Sequence, residues 1–117
     1  MKKLFALCIL AFASNLYAGK CEDCTIKFLG CSYVYEKKQT CNLEFNENIS
    51  NPAPCASEAN KNRVVFDMET EGGKAAYSIA LAAYMGNKKV THLGYNSCTT
   101  LPNEMEDIGN FYLGNPL

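Results

Sequence analysis

Six cysteines, Cys21, Cys24, Cys31, Cys41, Cys55 and Cys98, constrain this chain more than any other feature. A seventh, Cys8, lies in a different kind of sequence. There Lys2 and Lys3 precede an apolar run from Leu4 to Phe12, and Ser14 to Ala18 is a more polar segment ending in a small residue. That is the layout of a secretory signal peptide, and the run is too short to span a bilayer. Cleavage is expected after Ala18, with Ala11-Phe12-Ala13 as an earlier alternative. The expected product, 19–117, is a single secreted or periplasmic domain. In such a compartment an even set of cysteines in a short chain reads as a disulfide framework.

The sequence does not choose among all the pairings that six cysteines allow, but local context ranks them. Cys31 and Cys41 flank a predicted hairpin, where antiparallel neighbours bring Cβ atoms within bonding reach. Cys55 precedes a predicted strand–helix–strand unit and Cys98 follows it, so a bridge between them would enclose the whole unit. Cys21 and Cys24 form a C-x-x-C, "CEDC". A thiol-exchange site needs a stabilised thiolate, whereas Glu22 and Asp23 between the cysteines are anionic. A structural bridge, to each other or to another cysteine, is the favoured reading. A zinc site would need a second such pair or a histidine pair, and His92 is the sole histidine. No metal and no cofactor is expected.

Along the chain the pattern is β-rich with one helix. Thr25 to Tyr35, "TIKFLGCSYVY", is β-branched and aromatic, with Gly30 marking a bulge or bend. Glu36 to Gln39 reads as the hairpin tip and Thr40 to Phe45 as the returning strand. The segment "NENISNPAPC" is a loop, since its prolines cannot donate to a ladder. Arg63 to Met68 is a third strand, broken by "ETEGG". Lys74 to Met85 is helical, alanine-rich and free of proline, with Gly86 as its left-handed cap. Lys89 to Tyr95 and Ile108 to Leu113 are the fourth and fifth strands.

The helix has hardly any polar face. Ala76, Ile79, Ala80 and Ala83 form one apolar side; Tyr77, Leu81 and Tyr84 form a second beside it. A helix apolar nearly all round is normally covered on more than one side. One side suits the sheet. The other needs either the "NENISNPAPC" loop or another copy of the chain, which makes Tyr77, Leu81 and Tyr84 the expected oligomer interface.

Other chemistry is sparse. The formal net charge is −1, and removing Lys2 and Lys3 makes the mature chain more acidic. That excludes the cationic footprint of a nucleic-acid partner or an anionic membrane surface. No later segment is long enough to insert into a membrane. His92 has no nucleophile and acid arranged around it in the sequence, and an ordinary strand histidine is expected. The acids of "DMETE" (Asp67, Glu69, Glu71) and "NEMED" (Glu104, Glu106, Asp107) lack calcium-loop spacing and read as solvated loop charges. Asn48-Ile49-Ser50 matches the glycosylation sequon. There are seven tyrosines and no tryptophan; exposed tyrosines can stack on a sugar or dock a partner. No catalytic residue is assigned.

The order strand, helix, glycine, strand, cysteine, final strand, carried by "NPAPCAS", "GKAAYSIALAAYMGNKKVTHLGYNSCT" and "IGNFYL", resembles the binding subunits of pentameric AB-type toxins of the heat-labile enterotoxin and subtilase cytotoxin type. The resemblance implies a small five-stranded OB-like barrel with one central helix over about 74–85. It also implies a homo-oligomeric ring that binds host glycans and has no enzymatic activity. Cys21, Cys24, Cys31 and Cys41 are extra relative to the simplest members. Two alternatives stand beside this reading: a periplasmic thiol-redox protein using Cys21 and Cys24, and an envelope inhibitor or structural protein that contacts a protein ligand through its loops.

Overall fold

A computed structural model describes residues 19–32 and 38–117. The expected leader (1–18) and residues 33–37, where the first expected strand ends and its tip begins, lie outside the described residues. The elements are β1 (Lys20–Cys24), β2 (Ile26–Ser32), β3 (Thr40–Phe45), β4 (Arg63–Asp67), α1 (Glu71–Gly86), β5 (Val90–Leu93), β6 (Glu106–Asp107) and β7 (Asn110–Leu113), with a 3₁₀ turn at Glu58–Asn60.

The β-rich class is as the sequence reads, but among the described residues the strands number seven rather than five. They form two sheets, in the orders β1-β5-β7 and β2-β3-β4-β6. Among the described residues no ladder closes these sheets into one barrel. The two strands not expected are β1, which contains the C-x-x-C, and β6, two residues inside a segment read as loop. Neither carries the alternating apolar run that marks a strand in sequence. Each is held by its partner, β1 by β5 and β6 by a parallel pairing with β4.

The β2–β3 hairpin runs in register from Leu29↔Leu43 to Ser32↔Thr40, with Cys31 directly opposite Cys41. Gly30 pairs regularly with Asn42, so it is not the irregularity; that lies between Ile26 and Phe28. Along β3, Cys41, Leu43 and Phe45 are buried and Asn42 and Glu44 are half-exposed. Every residue of β5 is buried, as befits a central strand covered on both faces.

The helix begins three residues earlier than "ETEGG" advertised. Thr70 caps it, its Oγ1 accepting the Gly73 N–H at 2.9 Å. Gly73 is needed there because a Cβ would collide with the Asp67 carbonyl at the end of β4. Glycine's poor helix propensity is therefore the cost of bringing the first turn against the sheet. The left-handed cap is Asn87 (φ 50°, ψ 48°), not Gly86, which is the last helical residue; Lys88 N–H closes the end on the Ala83 carbonyl at 2.9 Å.

Ala80 and Ala83 are the helical side chains at the bottom of the core, beside Leu43, Phe45, Val64, Phe66, Val90 and Phe111. Phe66 meets Tyr77 and Phe111 edge-on, both with ring centres 6.1 Å apart. Among the described residues three disulfides staple this arrangement: Cys21–Cys24, Cys31–Cys41 and Cys55–Cys98. The last spans 43 residues, taking in β4, α1 and β5.

Closing the longest loop removes the most unfolded-state entropy, about 4 kcal/mol for Cys55–Cys98 against about 3 kcal/mol for Cys31–Cys41. The pair of substitutions Cys55→Ala and Cys98→Ala is therefore expected to lower urea-unfolding stability more than Cys31→Ala with Cys41→Ala. The reverse order would contradict the enclosing role of the long bridge.

Candidate functional site

Strand β6 sends its two acidic residues in opposite directions, as successive strand residues must. Glu106 goes inward and is 1% exposed; His92, from β5, is fully buried. His92 Nε2 and Glu106 Oε2 are 2.6 Å apart, and Glu106 Oε1 accepts the Ala53 N–H at 2.8 Å. Gly109 N–H donates to His92 Nδ1 at 3.3 Å. That contact makes Nδ1 an acceptor, so the ring proton sits on Nε2 and is donated to Glu106. Glu106 is thus not a solvated loop charge; it is a buried acid partnered with the lone histidine. The pair is buried and ties β5 to β6.

Asp107 points the other way and organises the loop carrying Cys98. Its carboxylate accepts from the Ser97 hydroxyl (2.9 Å), the Thr99 N–H (2.9 Å) and hydroxyl (2.7 Å), and the Thr100 N–H (2.9 Å). Partial burial opposes its ionisation. The Thr99 and Thr100 N–H groups, then the Thr99 and Ser97 hydroxyls, outweigh that and hold its pKa below the ordinary aspartate value. Asp67 is also lowered, by the Lys38 ammonium 2.6 Å away. Glu44 is lowered chiefly by Arg63 at 3.2 Å, and Arg63 itself lies 4.9 Å above the Phe28 ring.

Between Asp67 and Asp107, at the first turn of α1, lies a shallow cleft of about 390 Å3. Thr70, Gly72 and Gly73 form one wall, Ser97, Thr99 and Thr100 the other, and Val65 and Ile108 part of the lining. It presents hydroxyls and carboxylates whose hydrogen bonds are largely committed to the protein, and the lining contains no aromatic ring. A second cleft of about 310 Å3 lies beside the Cys21–Cys24 bridge, lined also by Lys20, Glu22, Glu47, Asn48 and Ser50. Cys21 and Cys24 are each 2% exposed, and Glu22 and Glu47 are anionic neighbours; both facts weigh against thiol exchange. Among the described residues no three His, Cys, Asp or Glu side chains are grouped to hold a metal ion, and no helix is long and apolar enough to cross a membrane.

Of the expected interface residues, Leu81 (42% exposed) and Tyr84 (45%) stand on the surface, joined by Met85 (78%), which sequence reading did not single out. Tyr77 is half-buried and packs on Phe66, so part of it serves the chain's own core. Among the described residues the "NENISNPAPC" loop forms no hydrogen bond with the helix. Its bonds to other segments run to Gly19, Lys20, Thr25, Lys61, Asn62 and Glu106, and Ile49 enters the core.

Compared with known proteins, the chain matches no protein-family model, no curated protein and no solved structure.

Asp107 has its pKa lowered in the folded state, so its stabilisation is complete above the unfolded value of about 3.9 and disappears as pH falls through the lower folded value. Asp107→Asn is expected to cost about 1 kcal/mol near neutral pH, a modest figure because the group is partly solvated. It should also flatten the loss of stability below about pH 4. Unfolding curves for the two proteins that stay parallel down to about pH 2 would contradict this role.

Proposed function

We propose that the mature chain is an exported, non-enzymatic binding module that associates with further copies of itself through the outer face of α1 and the free edge of β7. One observation carries this reading: Leu81, Tyr84 and Met85 stand exposed on a helix whose alanine face already fills the core. An exposed apolar patch on an exported domain marks a contact surface. Strand β7, which packs against α1, is the outer strand of its sheet and exposes Tyr112 and Leu113. Among the described residues its outer backbone edge has no strand beside it; such an edge suits another strand, and the second copy is the partner that brings one. Head-to-tail repetition of such a contact gives a ring when the rotation closes.

In this reading the fold is an open form of the OB-type barrel. The support is element order: the antiparallel meander β2-β3-β4, then α1, then the antiparallel pair β5 and β7. The toxin-binding-subunit resemblance rests on the same order. The partner state is read by light scattering after size exclusion at high micromolar concentration. An oligomer is expected for the exported protein, and Leu81→Lys with Tyr84→Lys should shift it to monomer without lowering its melting temperature. A strict monomer in the unsubstituted protein overturns the self-association.

The toxin-binding-subunit resemblance implies a glycan ligand, and the cleft at the first turn of α1 is the place we assign to it. Gly72 lines this cleft, and a Cβ there meets open space. Gly72→Gln is therefore expected to obstruct the cleft while leaving the fold intact. Binding on a glycan array that disappears in this variant supports the assignment; no bound glycan, or binding unchanged by the substitution, removes it.

A further inference from the structure

Glu106 is a buried carboxyl group that the described residues leave without a lysine or arginine partner. Its partner His92 donates from Nε2 and accepts at Nδ1, and so is neutral. Among the described residues no lysine or arginine nitrogen comes within 4.0 Å of Glu106. A buried, uncompensated carboxylate is costly, and among the described residues this one accepts only from His92 and Ala53, fewer donors than its lone pairs can take.

The group packed against that carboxylate is Gly19. A Cβ on Gly19 would lie 2.6 Å from Glu106 Oε1 and closer still to Oε2, and the backbone there is left-handed (φ 74°), so no side chain fits. Gly19 is pinned on both sides: its N–H donates to the Asn51 carbonyl at 2.6 Å, and its carbonyl accepts the Gly94 N–H at 2.7 Å. Gly19 is also the residue after the expected cleavage point.

We propose that removal of the leader completes the fold, because the new α-ammonium of Gly19 becomes the missing counter-charge of Glu106. The inference rests on the exported reading. Hydrolysis of the Ala18–Gly19 peptide bond by the exporting cell's leader protease consumes one water. It leaves a carboxylate on Ala18, which departs, and an amine on Gly19, which takes a proton from solvent. That ammonium keeps the Asn51 carbonyl as one acceptor and gains Glu106 as another. The charged groups around it are Glu106 from β6, neutral His92 from β5, the Lys20–Glu22 ion pair of β1, and Lys61, whose ammonium rests on the Ala53 carbonyl at 3.4 Å. Asp107 faces the opposite side of β6.

The test expresses the full chain for export and reads the start of the processed protein by intact mass. An unprocessed chain would overturn the exported reading itself; a processed chain starting elsewhere would overturn only the ammonium–Glu106 contact. On a product starting at Gly19, 2-pyridinecarboxaldehyde, which modifies free N-terminal amines, is expected to react at least about tenfold more slowly in the folded protein than in urea. An ammonium gaining a partner stabilises fully below its unfolded pKa near 8 and loses that contribution as pH rises through its higher folded value. The melting temperature should therefore fall between about pH 7.5 and pH 10 in the processed protein, and fall less in Glu106→Gln. If that variant does not fold, the labelling rate decides alone. Labelling at the unfolded rate overturns the proposal.

Discussion

Among the described residues the two sheets share no backbone ladder, and the His92–Glu106 pair is a polar contact that joins them. His92 comes from the centre of the three-stranded sheet and Glu106 from the edge of the four-stranded one. Both are buried, so neither can fall back on water if the other is lost. Removing one partner of such a pair strands the other and costs several kcal/mol, far more than an exposed ion pair contributes. The short strand β6 has only two residues of ladder with β4. Its position therefore depends on where its side chains go.

Those side chains close a circuit. Glu106 grips the Ala53 N–H, and two residues on, Cys55 bridges to Cys98. Cys98 sits in the loop that Asp107 gathers through Ser97, Thr99 and Thr100. The disulfide and the neighbouring acids of β6 thus hold the same two loops from opposite sides. A covalent bond fixes how far the loops can separate, while the carboxylates fix their orientation. Neither constraint does the work of the other. The cleft beside α1 inherits its shape from this circuit, because one wall is the Asp107 loop and the other is the glycine turn docked on β4.

Much of this was legible in the chain wherever one local signal sufficed. Alternation placed β3, a continuous apolar run placed β4, and the alanine-rich stretch placed most of α1. The cysteine positions around the hairpin and around the strand–helix–strand unit carried the pairings seen here. What escaped reading depends on distant partners. "CEDC" becomes a strand only because β5 lies beside it, and "NEMED" yields β6 only because β4 does. Glu106 looked like its neighbour Glu104, since nothing local distinguishes a buried acid from a solvated one. Its partner stands 14 residues away on another sheet. The helix start was hidden by a different conflict: two glycines read as a break, yet the close approach to Asp67 required one of them.

The apolar helix can be understood through side-chain size. Alanines at 80 and 83 let α1 sit deep against β4 and β7, and Gly73 does the same at its first turn. A helix seated that closely turns its large residues away from the sheet, because there is no room beneath it. Tyr77 escapes this by lying edge-on to Phe66, but Leu81, Tyr84 and Met85 stand outside. Had the exposed face evolved only for solubility, lysine or glutamate there would keep helix propensity at no cost to the core. In the self-association proposed above, the apolar residues of this solvent-facing turn and the neighbouring outer strand β7 would be covered in one contact.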